Sequence, residues 1–182
     1  MTPYSDEPVL LSTDFPVHMD ERGSFQRLYS KDEIGREIAA FVHCQTNLSR
    51  SRLAFTLRGL HYQKSPYSEH KLISCIAGKI LDVCVDVREN SITFGKTFSF
   101  ELDSTSPQIL SVPVGFAHGF QTLEDDTSVI YFVNQSHKAS HEQSICYDSI
   151  GFDWPHSPAV ISEKDKNAPK LHQLRSSGQL GV

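Results

Sequence analysis

Between Lys79 and Val87 the chain alternates. Leu81, Val83, Val85 and Val87 are apolar, and Asp82, Cys84 and Asp86 fall between them. A period of two marks a β-strand, because successive side chains leave it on opposite faces. One face is therefore expected on a core and the other against water or a polar cavity. Just upstream, residues 72–76 form a second apolar run, and Ala77-Gly78 between the two fits a hairpin-like turn. Further short strands are predicted over 96–102, 108–112, 117–122 and 128–134. Ser106-Pro107, Pro113-Val114-Gly115 and Glu124-Asp125-Asp126 punctuate them.

Helical signals are scarce. Residues 30–38 offer Ser30 as an N-cap with Glu33 completing a capping box. Ser162-Glu163-Lys164-Asp165 predicts a second short turn, limited by Pro169. Many short strands with turn chemistry between them point to an all-β sandwich or a jelly-roll barrel.

Composition narrows the function classes. The 182 residues suit a single domain over 1–182, with about 176–182 as a flexible tail. A net charge of −5 leaves no basic excess to neutralise phosphates, which argues against nucleic acid as a partner. No run approaches 18 apolar residues, and the start lacks the basic and apolar segments of a signal peptide, so no membrane partner is expected. Cys44, Cys75, Cys84 and Cys146 are scattered without a Cys-x-x-Cys pair. Free thiols in a cytoplasmic protein are the expectation.

Two segments stand out chemically. One is Arg58-Gly59-Leu60-His61-Tyr62-Gln63, with Lys71 ten residues after His61; the other runs from Pro113 to Phe120 and contains His118. Taken alone, either histidine is explained by a structural hydrogen bond. Together the segments resemble the paired motifs of the cupin barrel. Asp20-Glu21-Arg22-Gly23-Ser24-Phe25, Ser91-Ile92-Thr93-Phe94-Gly95-Lys96, Asp153-Trp154-Pro155 and Ile161-Ser162-Glu163-Lys164-Asp165 stand in order around them. The set resembles the dTDP-4-dehydrorhamnose 3,5-epimerase family from about residue 8 to 172. That resemblance implies an all-β fold, a cupin jelly-roll barrel with a few short helices. It also implies a homodimer in which N-terminal strands cross to the partner.

The activity it implies is epimerisation at C3 and/or C5 of a nucleotide-linked 4-keto-6-deoxy sugar, in deoxysugar biosynthesis. The C4 carbonyl makes the neighbouring hydrogens acidic, so a base, an enolate stabiliser and an opposite-face acid suffice without a cofactor. The resemblance implies His61 as base, Asp165 as its orienting partner, Lys71 against the enolate oxygen and Tyr131 as the acid. Arg22, Gln45, Asn47, Arg58, His118, Glu142 and Lys164 match substrate-binding positions. A metal is not expected: His61 lacks the His-x-His partner of metal-binding cupins, and two histidines without a clustered carboxylate make a poor site.

Some positions depart from the family pattern. Thr46 stands within Gln45-Thr46-Asn47, Arg27 replaces a glutamate, His70 a glycine, and Ser136-His137 a tyrosine pair. These predict an altered nucleotide end, so that the sugar need not be thymidine-linked. The competing readings are a sugar-nucleotide 3,4-ketoisomerase and a non-catalytic sugar-binding cupin.

Overall fold

The computed structural model describes residues 6–12, 15–30, 38, 41–106 and 108–182. Its strands are β1 (Val9–Ser12), β2 (Val17–Asp20), β3 (Gly23–Gln26), β4 (Gln45–Ser51), β5 (Thr56–Gln63), β6 (Lys71–Ala77) and β7 (Lys79–Asp86). They continue as β8 (Thr97–Asp103), β9 (Gln108–Val112), β10 (Phe116–Thr122), β11 (Thr127–Val133), β12 (Glu142–Ser144) and β13 (Val160–Ile161). Helices α1 (Glu163–Lys166) and α2 (Leu171–Ser176) follow. The helix expected over 30–38 falls on residues 31–37, outside the described residues, as does Pro107.

Each apolar run read from the sequence coincides with a strand, but the expected closed jelly-roll barrel does not form. The strands divide into a five-stranded sheet, β1-β9-β6-β11-β4, and a six-stranded one, β12-β5-β10-β7-β8 with β13 beside β5. Among the described residues no strand of one sheet pairs with a strand of the other, so both sheets are open and stack as a sandwich. With α1 and α2 against it, the fold mixes sheet and short helix rather than being all-β. The hairpin expected at Ala77-Gly78 is a corner instead. β6 and β7 lie in different sheets, and Gly78 turns the chain between them at φ +72°, where an added Cβ would lie 2.5 Å from Thr127 Oγ1.

Each sheet packs apolar side chains on both faces, although the outer face of β4 stays open, with Leu48 48% exposed. Ile73, Cys75, Cys84, Leu110, Phe120 and Val129 fill the space between them. Phe41, Leu72 and Ile109 cover the outer face of the five-stranded sheet. Leu60, Val83, Val85, Ile145, Leu171 and Leu174 cover that of the six-stranded sheet. Full burial of one such aliphatic side chain contributes about 1.5–3 kcal/mol. In β7 the polar face therefore meets no water: Asp82 and Asp86 are fully buried. The C-terminal residues, expected to fray, are docked. Leu180 is buried, its carbonyl accepts from Tyr62 Oη at 3.0 Å, and Gly181 O accepts from Ser65 N. No helix among the described residues is long and apolar enough to cross a membrane.

Candidate active site

The two histidine segments become neighbours because β5 and β10 pair antiparallel, with His61 opposite His118 and Arg58 opposite Phe120. Three steps on β5 thus match two on β10, leaving one extra residue in a bulge. Gly59 and Gly119 meet there: a Cβ on Gly59, at φ +117°, would lie 2.6 Å from Gly119 Cα. The bulge leaves Gly59 N–H outside the ladder, and it donates to Asp165 Oδ2 at 3.2 Å.

Asp165 reaches this point because Ser162 caps α1, its hydroxyl accepting from Asp165 N at 3.1 Å. The carboxylate is buried and its Oδ1 lies 2.6 Å from His61 Nε2. Burial alone would raise the Asp165 carboxyl, but hydrogen bonding from His61 and Gly59 outweighs it and holds the group below its ordinary value. His61 keeps about a third of its side chain open to the cavity. Since Nε2 is engaged by Asp165, Nδ1 is the ring atom left to act as a base.

His61 opens into a cavity of about 550 Å³ between the sheets. Lys71 on β6, Tyr131 on β11, and Gln45 and Asn47 on β4 line it from the five-stranded sheet; Arg58 and His118 line it from the six-stranded one. Glu142 and Lys164 close one side as an ion pair at 2.6 Å. Burial pushes the Glu142 carboxyl up, yet Lys164 holds it below its ordinary value. Arg58 is anchored on Ser51 Oγ and Arg50 O, and Gln45 donates to Asn47 Oδ1 at 2.7 Å.

Ten of the eleven sequence-predicted site residues therefore line one cavity. Arg22 does not. It lies on the β2–β3 hairpin, exposed and ion-paired with Asp20 two residues away. The departures from the family pattern mostly fall elsewhere too. Thr46 points off the cavity side of β4, bonded to His43 Nε2 at 2.7 Å, and Arg27 lies over the Phe15 ring. His70 is buried in the outer layer, 2.7 Å from Ser111 Oγ and edge-on to Phe41, and burial lowers its pKa to about 4. Of the four positions that carry the substitutions, only His137 lines the cavity.

Two carboxylates escaped the motif reading. Asp82 Oδ2 lies 2.8 Å from His118 Nε2, forming a second buried imidazole–carboxylate pair. Its signal was present: a carboxylate within a core strand requires a partner. Glu69, beside Lys71, is the other. His61 and His118 are adjacent in register, yet each Nε2 is engaged by its own carboxylate. Among the described residues no group of three or more His, Cys, Asp or Glu stands together as a metal-ligand set.

A family model described as dTDP-4-dehydrorhamnose 3,5-epimerase matches residues 8–173. A protein of that name from Sinorhizobium fredii is 40% identical over 163 residues, covering 88% of this chain and 84% of its own. Among solved structures, the Bacillus anthracis dTDP-4-dehydrorhamnose 3,5-epimerase with TDP and PPi bound superposes with a TM-score of 0.80 at 36% identity, covering 90% of this chain and 93% of that one. A 3'-monoepimerase from Streptomyces bikiniensis in complex with dTDP-quinovose superposes with a TM-score of 0.83 at 28% identity, covering 98% and 91%.

Proposed function

The chain belongs to the dTDP-4-dehydrorhamnose 3,5-epimerase family, and from that premise we propose how its own residues carry the reaction. It is an isomerase that epimerises a dTDP-linked 4-keto-6-deoxy sugar at C3/C5. The observation that carries the assignment of roles is the His61–Asp165 pair at 2.6 Å, opening into one cavity with Lys71 and Tyr131.

His61 Nδ1 takes the proton from the carbon beside the C4 carbonyl; the electron pair of that C–H bond forms the C=C bond of the enolate, and the carbonyl π pair moves onto the oxygen. Asp165 stabilises the imidazolium that results. The Lys71 ammonium faces the developing enolate oxygen, where charge appears only as the bond breaks. Tyr131 Oη returns a proton to the carbon from the other side. The sheets divide these tasks, with His61 on the six-stranded sheet and Lys71 and Tyr131 on the five-stranded one. A sugar held between the sheets meets base and acid on opposite faces, which is the requirement for inversion. Arg58 and Lys164 supply positive charge for the diphosphate, Arg58 with a planar fork suited to paired oxygens. Gln45, Asn47, His118 and Glu142 are the polar contacts for the rest of the substrate.

An altered nucleotide preference loses its main support, because Thr46 and Arg27 do not face the cavity. The test is incubation in heavy water with dTDP-, CDP- and GDP-linked 4-keto-6-deoxy sugars. Deuterium is expected at C3 and C5 of the dTDP sugar, with the others turned over more slowly. A carbonyl moved from C4 to C3 would replace epimerisation by ketoisomerisation. Binding without exchange would leave a sugar-binding protein.

The β2–β3 hairpin supports a homodimer with crossing N-terminal strands. Among the described residues it pairs with no other strand, and Val17, Met19 and Phe25 are 47%, 73% and 72% exposed on it. Burial against a second copy removes that apolar surface and the open strand edges from water. Arg22 travels with the hairpin and in this arrangement belongs to the partner's pocket. The cysteines are free thiols, and burial pushes Cys75 up to about 11. Reduced thiols, three of the four buried, favour a cytoplasmic location.

A further inference from the structure

Glu69 lines the cavity although no motif pointed to it. It stands two residues before Lys71, the spacing that puts side chains on one side of an extended chain. Its Oε1 lies 3.2 Å from Lys71 Nζ, and the two side chains are only 13% and 9% exposed. Its Oε2 accepts from Gln63 Nε2 at 3.3 Å. Gln63 is itself tied to the backbone at Tyr67, Ser136 and Lys138. Lys71 Nζ also donates to the carbonyl oxygen of His61 at 3.2 Å, so the lysine is moored on the base's own residue.

An ammonium has three N–H donors and no acceptor, on a flexible four-carbon stem. In Lys71 one donor is given to the carbonyl oxygen of His61, and the ion pair with Glu69 holds the ammonium from a second side where it lines the cavity. We propose that Glu69 is a positioning residue for Lys71, fixing the ammonium so that an N–H is offered to the substrate's carbonyl oxygen. This rests on the reading of Lys71 as the enolate's partner given above. Glu69, itself held by Gln63, acts by keeping the ammonium in place through the ion pair. Its negative charge beside a forming enolate is unfavourable in itself, so the contribution is geometric.

Initial rates on the dTDP-linked 4-keto-6-deoxy sugar, for Glu69→Ala, Glu69→Gln, Lys71→Ala and the Glu69→Ala/Lys71→Ala pair, test this. Glu69→Ala is expected to lower kcat roughly 10- to 100-fold with KM little changed, the scale of displacing an active-site group by an ångström. Glu69→Gln keeps an acceptor and is expected to recover most of that loss. In the Lys71→Ala background, removing Glu69 should cost nothing more, because its effect passes through the lysine. Slow residual turnover there is read as deuterium uptake from solvent. Unchanged kcat in Glu69→Ala, a glutamine variant as slow as the alanine one, or an equal further loss without Lys71 would each overturn the proposal while leaving Lys71 in place. Normal turnover by Lys71→Ala would overturn both readings together.

Discussion

Replacing Asp165 with asparagine changes little volume and removes one charge, so it isolates what the carboxylate does for His61. In the native site both oxygens accept, Oδ1 from His61 Nε2 at 2.6 Å and Oδ2 from Gly59 N–H at 3.2 Å. Asparagine has one acceptor and one donor for the same two partners. If its oxygen keeps Gly59, its amide faces Nε2, which must then accept. The ring proton moves to Nδ1, the atom that has to be empty to take a proton from the sugar. If the amide is flipped, it opposes the Gly59 N–H, donor to donor, at a buried position. Either way the imidazolium loses its counter-charge. A comparable substitution in a Ser-His-Asp triad lowers kcat by about 10⁴ through the wrong tautomer. At 1.36 kcal/mol per tenfold, a loss of about 10³–10⁴ corresponds to roughly 4–5 kcal/mol. The rate of solvent deuterium entering the sugar measures it, with substrate binding followed separately and expected to change little. Turnover within tenfold of wild type would refute Asp165 as the partner that keeps His61 ready.

Asp86 makes a stability prediction. Burial alone would raise its carboxyl, but hydrogen bonds from Arg88, Thr93 and Ser91 pull it down to about 2 from 3.8. A depressed carboxyl contributes stability that is present above the unfolded value and lost as pH falls through the folded one. Asp86→Asn is therefore expected to cost roughly 2 kcal/mol in urea unfolding at pH 7, and to lose stability less steeply than wild type between about pH 4 and pH 2; equal curves would contradict this. On the hairpin, Met19→Ser with Phe25→Ser is expected to turn a dimer into a monomer in sedimentation equilibrium, and a monomeric wild type would end the dimer reading.

Local patterns carried most of the strands and little of their arrangement. Alternation in 79–87 located β7, and Ser162 with Pro169 bracketed α1, because these signals act within a few residues. The corner at Gly78 misled, since an apolar run, a glycine and another run read alike whether the strands pair or part. Barrel closure is likewise a matter of which distant strands bond, and nothing near either edge encodes it. In the site, His61, Lys71 and Tyr131 were legible through ordered motifs. Asp82 could be expected to need a partner but not which one, because His118 lies 36 residues away on β10. Thr46 and Arg27 read as substrate contacts, yet strand parity turns Thr46 off the cavity face, and Arg27 stacks on Phe15.

The division of labour between two open sheets gives the apolar layer that separates them a second meaning. Ile73, Cys84, Leu110 and Val129 line no part of the cavity, yet their combined thickness sets how far the histidine stands from the lysine and tyrosine. The core is in that sense a caliper. Trimming or adding a methylene there resets the jaws between which the sugar is held, so the rate of a proton transfer is written partly in the volume of side chains never in contact with the proton.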